Sequence, residues 1–155
     1  MTKAKVKNRF WRRSVSGTVA IEFALLIPVL LMLIAITAEL GLAMYESMQV
    51  NNAVEAGMVY AAKNDFDAAG IASAVVNATG TPGITAAPAP VQFCGCPGAD
   101  GIVEETCVSP PPCADGSPVG QYARISASLN HQTILPHIGL SLPTTVTAQS
   151  IVRLH

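Results

Sequence analysis

Sixteen consecutive uncharged residues, Phe23 to Ala38, constrain this 155-residue chain more than any other feature. Counted from Thr18 the apolar stretch reaches 21 residues, with Glu22 as its one charge. That is close to the roughly 20 residues needed to cross about 30 Å of hydrocarbon at 1.5 Å per helical residue. All six basic residues of the N-terminal segment (Lys3, Lys5, Lys7, Arg9, Arg12 and Arg13) precede the run with no acid among them. Lys and Arg on one flank mark the cytoplasmic side, so the C-terminal bulk is expected across the membrane. A secretory signal peptide shares the basic leader, but its apolar core spans only about 7 to 15 residues before small residues at the cut. Here the run flows on into Thr37-Ala38-Glu39-Leu40-Gly41-Leu42-Ala43-Met44-Tyr45 with no such site.

Glu22 sits at the mouth of the span. A carboxylate in a membrane helix costs a few kcal/mol on insertion scales unless a cation or water meets it, so its presence there points to a function. Gly17, four residues, then Glu22-Phe23 entering an apolar helix resembles the processing site of type IV pilins and pseudopilins, and in particular the TadE-like family of the tight-adherence (Flp) pilus system. The resemblance extends through Ala24 to Pro28, through Gln49 to Gly57, to Cys94-Gly95-Cys96-Pro97, and to the ending Leu142 to Ser150. It implies that a prepilin peptidase cuts between Gly17 and Thr18. The new α-amino group of Thr18, with a reference pKa of about 7.7 to 8.0, would then pair with Glu22 of a neighbouring subunit. The implied partners are that peptidase, other pilins and pseudopilins, the inner-membrane assembly platform and the lipid bilayer. The implied location is the bacterial inner membrane, single-pass, with the N-terminus cytoplasmic and the head periplasmic.

Cleavage would leave Lys63, Arg124 and Arg153 against ten acids, a net charge of −7 where the whole chain has −1. An acidic product argues against nucleic-acid binding, which needs a basic face to neutralise phosphates.

Beyond the span the helical pattern continues. Tyr45, Met48, Asn52, Val54, Met58, Val59 and Ala62 give a partly apolar face at three- and four-residue steps, with Glu46, Gln49, Glu55 and Lys63 mostly elsewhere. One helix from Thr18 to Lys63 would be about 69 Å long. Asn64-Asp65-Phe66-Asp67 reads as a stop and a fresh N-cap, with a short helix over Ala68 to Ala78. Ala87-Pro88 and Ala89-Pro90 read as an extended connector. Alternation at Ala123, Ile125, Ala127 and Leu129, and at Val146, Ala148, Ser150, Val152 and Leu154, predicts antiparallel strands with one face on a core. The fold class is α+β: a long N-terminal helix, half transmembrane and half periplasmic, carrying a small antiparallel sheet stapled by disulfides. The segments are a leader over 1–17, a transmembrane helix over 18–44, its periplasmic continuation over 45–63, and a head over 64–155 with cysteine-rich loops at 94–113.

Cys94, Cys96, Cys107 and Cys113 lie on the side expected to be oxidising, so disulfides are the natural reading. Cys94 with Cys96 would close too tight a ring. Of the remaining pairings, the nested one (Cys94 to Cys113, Cys96 to Cys107) is favoured over the crossed one. Zinc competes for four thiolates, but one- and five-residue spacings fit the usual knuckle poorly. No cofactor or metal is expected. His131, His137 and His155 have no acid close in sequence and read as surface or loop residues. Asp100, Glu104, Glu105 and Asp115 read as solvated loop acids, since no ordered calcium-ligand loop is visible. The chain lacks a phosphate-binding glycine loop, a nucleophile elbow and HExxH. It reads as a building part and not an enzyme: a minor pseudopilin or, alternatively, an uncleaved bitopic scaffold with a periplasmic binding head.

Overall fold

The computed structural model describes residues 16–133 and 143–154. The basic leader residues Lys3 to Arg13, as well as His137 and His155, lie outside them. In chain order the elements are α1 (Ser16–Asn64), α2 (Ala68–Asn77), β1 (Val91–Gly98), β2 (Gly101–Glu105), β3 (Gly120–Asn130) and β4 (Thr145–Arg153). The chain divides into two units, one ending at Ala38 and the other beginning at Glu39.

The first unit is the apolar part of α1. Every residue from Val19 to Ile34 is exposed, including Phe23 at 64% and Leu25 at 71%. A helix apolar all round and uncovered by its own chain needs an apolar environment. This helix is long and apolar enough to cross a membrane. Thr37 Oγ1 donates to the Ile34 carbonyl at 2.8 Å, so that hydroxyl is satisfied within the helix, as a membrane interior requires. Pro28 lies within α1, where membrane helices tolerate it.

The second unit is a four-stranded antiparallel sheet, in the order β2-β1-β3-β4, packed against the second half of α1 and against α2. The central strand β3 sends Ala123, Ile125, Ala127 and Leu129 inward, and Val146, Ala148 and Val152 of β4 pack beside them, as the alternation predicts. Helix α2 adds Ile71 and Val75. Asp65, at φ 58°, terminates α1 in the left-handed conformation that Asp tolerates better than most residues. The Asp67 side chain then accepts the Ala69 amide at 3.1 Å and starts α2, the cap expected from the sequence. Thr85 bridges Ser128 through paired backbone hydrogen bonds of 2.9 Å, so the connector before β1 occupies the sheet position beside the far end of β3.

Three expectations are corrected here. The inward stripe of α1 is Val50, Ala53, Val54, Gly57 and Ala61, whereas Tyr45, Met48 and Val59 are exposed. Periodicity favoured the larger side chains, but close approach to the sheet selects the smaller ones. A Cβ on Gly57 would lie 2.7 Å from Val75 Cγ2 and 3.0 Å from Ile125 Cγ2. Secondly, Glu39, assigned from the sequence to the span, is buried, and the second unit begins at that residue.

Thirdly, the stretch over 94–113 is not all loop, and its disulfides are crossed. β1 and β2 form a hairpin in which Gly98 faces Gly101, whose φ of 128° suits glycine. The bonds are Cys94–Cys107 and Cys96–Cys113. Register dictates this pairing. Cys94 faces Glu105, two residues short of Cys107, whereas Cys96 faces Val103, four residues short of it. At about 3.3 Å per extended residue, Cys107 lies some 13 Å past the partner of Cys96, beyond the roughly 7 Å Cα separation a disulfide spans. The chain must return through the prolines at 110–112 before Cys113 reaches Cys96, and there the Cα atoms stand 5.6 Å apart.

Candidate functional site

Gly17 and Glu22 lie in the first two turns of α1. The first four amides of a helix have no carbonyl partner within it, so the bond between Gly17 and Thr18 sits where the helix unwinds most cheaply. Gly17 is exposed, and apart from its chain neighbours and its own helix backbone no described atom lies within 4 Å of where a Cβ would project. Glu22 and Phe23 are exposed on the apolar surface. Among the described residues the ion pairs join Arg124 to Glu104 and His131 to Glu39 and Glu46, and Glu22 enters none of them.

The second notable cluster was not legible residue by residue. His131, read from the sequence as a surface or loop residue, is buried with its side chain 1% exposed. Its Nδ1 stands 2.5 Å from Glu46 Oε2 and its Nε2 stands 3.5 Å from Glu39 Oε1. Both acids come from α1, seven residues apart, on the stripe that continues through Val50, Ala53 and Gly57. The available signal was that continuity. Two acids in line with an inward stripe require a cationic partner, and the chain beyond residue 63 offers only Arg124, Arg153 and histidines.

Remote from this cluster, Arg124 bonds Glu104 and lies over the Phe93 ring, 4.7 Å from its centroid, while Phe93 stacks on Tyr122 at 5.8 Å. These contacts tie β2, β1 and β3 together on the face opposite the helices. Glu104 is thereby paired, although it reads from the sequence as a solvated loop acid. Past β2, the Ser117 hydroxyl and amide donate to Asp115, and they hold its carboxyl below the ordinary aspartate range. That turn also pairs Cys113 with Ser117 and so fixes where the second disulfide lands. Among the described residues no group of three or more Cys, His, Asp or Glu is arranged to hold a metal.

Residues 17–58 match the family described as TadE-like protein. The match begins at Gly17, takes in Glu22 and Phe23, and ends on the inward stripe of α1. The family implies the setting of a tight-adherence pilus. Cys94 to Pro97 and Leu142 to Ser150, which also carry the resemblance, lie outside the matched segment, so the match is confined to α1. No curated protein and no solved structure matches the chain.

Proposed function

We infer that this protein is a minor pseudopilin of a tight-adherence pilus, processed after Gly17 and built into an assembly through its N-terminal helix. The observation that carries the reading is Glu22, a carboxylate exposed on a lipid-ready surface, five residues into the product of a cut at the point where the TadE-like match begins. In an apolar helix bundle the Thr18 ammonium of one subunit and the Glu22 carboxylate of the next offset each other's desolvation. Either alone is strongly unfavourable, so the pair sets the register between helices. The head, more than half the chain, favours a subunit that primes, caps or regulates a filament over the bare helix of a major pilin. The chain's role is that of substrate and building part; catalysis belongs to the peptidase. Prepilin peptidase, other pilins and pseudopilins, and the inner-membrane platform are its partners in this reading.

Intact mass and N-terminal sequencing of protein from its native membrane, with and without the cognate prepilin peptidase, test it. A peptidase-dependent start at Thr18 is expected. Gly17→Val should abolish that start without disturbing the fold, because space around Gly17 is open. A chain that keeps its leader in every sample overturns the reading and leaves an uncleaved bitopic scaffold.

A further inference from the structure

Where the connector before β1 passes β3, it carries more chain than the strand beside it needs. Val91 faces Arg124 and Thr85 bridges Ser128, so six residue steps on the connector run beside four on β3. The surplus bows away from the strand, and the exposed Ala87 and Pro88 form one wall of an open cavity of about 400 Å³. The rest of its lining is Ser126 of β3 and Thr147, Ala148 and Gln149 of β4. Ser126 faces Gln149 across the ladder, with Thr147 two residues along β4. Strand alternation puts these three side chains on the sheet face opposite the inward Ile125, Ala127 and Ala148.

The polar groups around this cavity are unengaged. Ser126 is only 5% exposed, yet its hydroxyl has no hydrogen-bond partner among the described residues, and neither have the Thr147 hydroxyl and the Gln149 amide. Buried polar groups are as a rule bonded, so three such groups around one opening are placed to be met from outside the chain. Whatever meets them must both donate and accept, as hydroxyls and a primary amide do. No charged side chain lines the cavity, so a phosphate, a carboxylate or a metal ion would lose its hydration with no opposite charge to replace it. An uncharged ring with hydroxyls on its rim and C–H groups on its face fits the lining: the hydroxyls reach Ser126, Thr147 and Gln149, and the C–H face lies against Pro88. The volume falls toward the lower end of the range for small-molecule sites, about 300–1,000 Å³. We propose that this cavity is a binding site for a neutral saccharide. An extended peptide fits less well, because it would add along the outer edge of β4 through backbone groups and leave the Ser126 hydroxyl unmet. The site is built entirely within the head and does not depend on cleavage or on Glu22.

The test is an NMR titration of the full chain in nanodiscs, following backbone amides, with glucose and N-acetylglucosamine as probes and glucuronate as the charged control. At least one neutral sugar is expected to give saturable shifts at Ala87, Ser126, Thr147, Ala148 and Gln149, and glucuronate none. Losing one hydrogen bond weakens binding about two- to tenfold, so Ser126→Ala and Thr147→Val should each do so. Both variants should keep the wild-type Tm, since neither hydroxyl bonds a described residue of the protein. Should Ser126→Ala not fold, Thr147→Val decides alone, at an exposed position of β4. The proposal is overturned if neither neutral sugar gives saturable shifts, if glucuronate shifts the same amides equally, or if the folded variants bind as the wild type does. Saturable shifts from an N-acetylated alanine peptide amide but from neither sugar would make the cavity a peptide groove and overturn it equally.

Discussion

Glu22, Glu39 and Glu46 stand on one helix in two different settings, and the contrast separates assembly from folding. Glu39 and Glu46 meet His131 within the head, whereas Glu22 has no counterpart among the described residues. Replacing Glu22 with Ala removes a carboxylate that costs a few kcal/mol in a membrane, so insertion becomes easier. If the pseudopilin reading holds, Glu22→Ala should insert and be processed normally but fail to reach the sheared surface fraction, detected by immunoblot. Normal assembly of that variant would remove Glu22 from the mechanism. Gly57 makes the complementary case inside the head. A valine there would drive its branches into Val75 and Ile125, both fully buried. Overpacking of that kind costs about 1–3 kcal/mol, so Gly57→Val should lower the unfolding midpoint in denaturant without affecting cleavage at Gly17.

At the level of elements, what was legible depended on which periodicity carried the burial. β3 and β4 alternate strictly, so residues such as Ile125 and Val152 could be assigned a face directly, and the Asp67 cap was legible because its chemistry is local. The inward face of α1 was not, because Ala53, Gly57 and Ala61 are weak hydrophobic signals that become decisive only when a sheet sits against them. A change to strand signal from Val91 was legible, but the run of β1 through Cys94–Gly98 and its pairing with β2 were hidden by Gly95, Pro97 and the cysteines, residues that read as loop and join a ladder because β3 offers an edge. The crossed disulfides follow from that hairpin and could not be derived without it. The Cys94–Cys107 bond closes a loop of sequence separation 13 and Cys96–Cys113 one of 17. In the chain-entropy model each contributes about 3 kcal/mol. Peptide mapping of the oxidised protein should return these two linkages and no Cys94–Cys113 species. Replacing both members of either pair by Ser should lower stability by about 2–4 kcal/mol, measured by denaturant unfolding.

For the whole molecule, the division at Ala38 and Glu39 carries a thermodynamic consequence. The buried cluster, from Val50 to Leu154, lies entirely in the second unit, while the first contributes helix surface that its own chain leaves uncovered. The sequence placed the membrane boundary after residue 44 because Leu40, Leu42 and Met44 prolong the apolar run. Glu39 is buried beside His131 in the second unit, which begins at that residue. Two fragments separate these boundaries. Residues 39–155 keep the core, both disulfides and both carboxylates, and should fold as an oxidised, cooperatively melting domain without detergent. Residues 45–155 keep the same core and disulfides but lose Glu39, the buried carboxylate 3.5 Å from Nε2 of His131. Removing one member of a buried contact between ionisable groups is destabilising, so the shorter fragment should unfold at lower denaturant. The difference should shrink in a His131→Gln background, where Glu39 has no imidazole to meet. Equal stability of the two fragments would show that the head begins after residue 44 and that Glu39 lies with the span, whereas failure of both to fold would show that the head depends on the apolar helix surface.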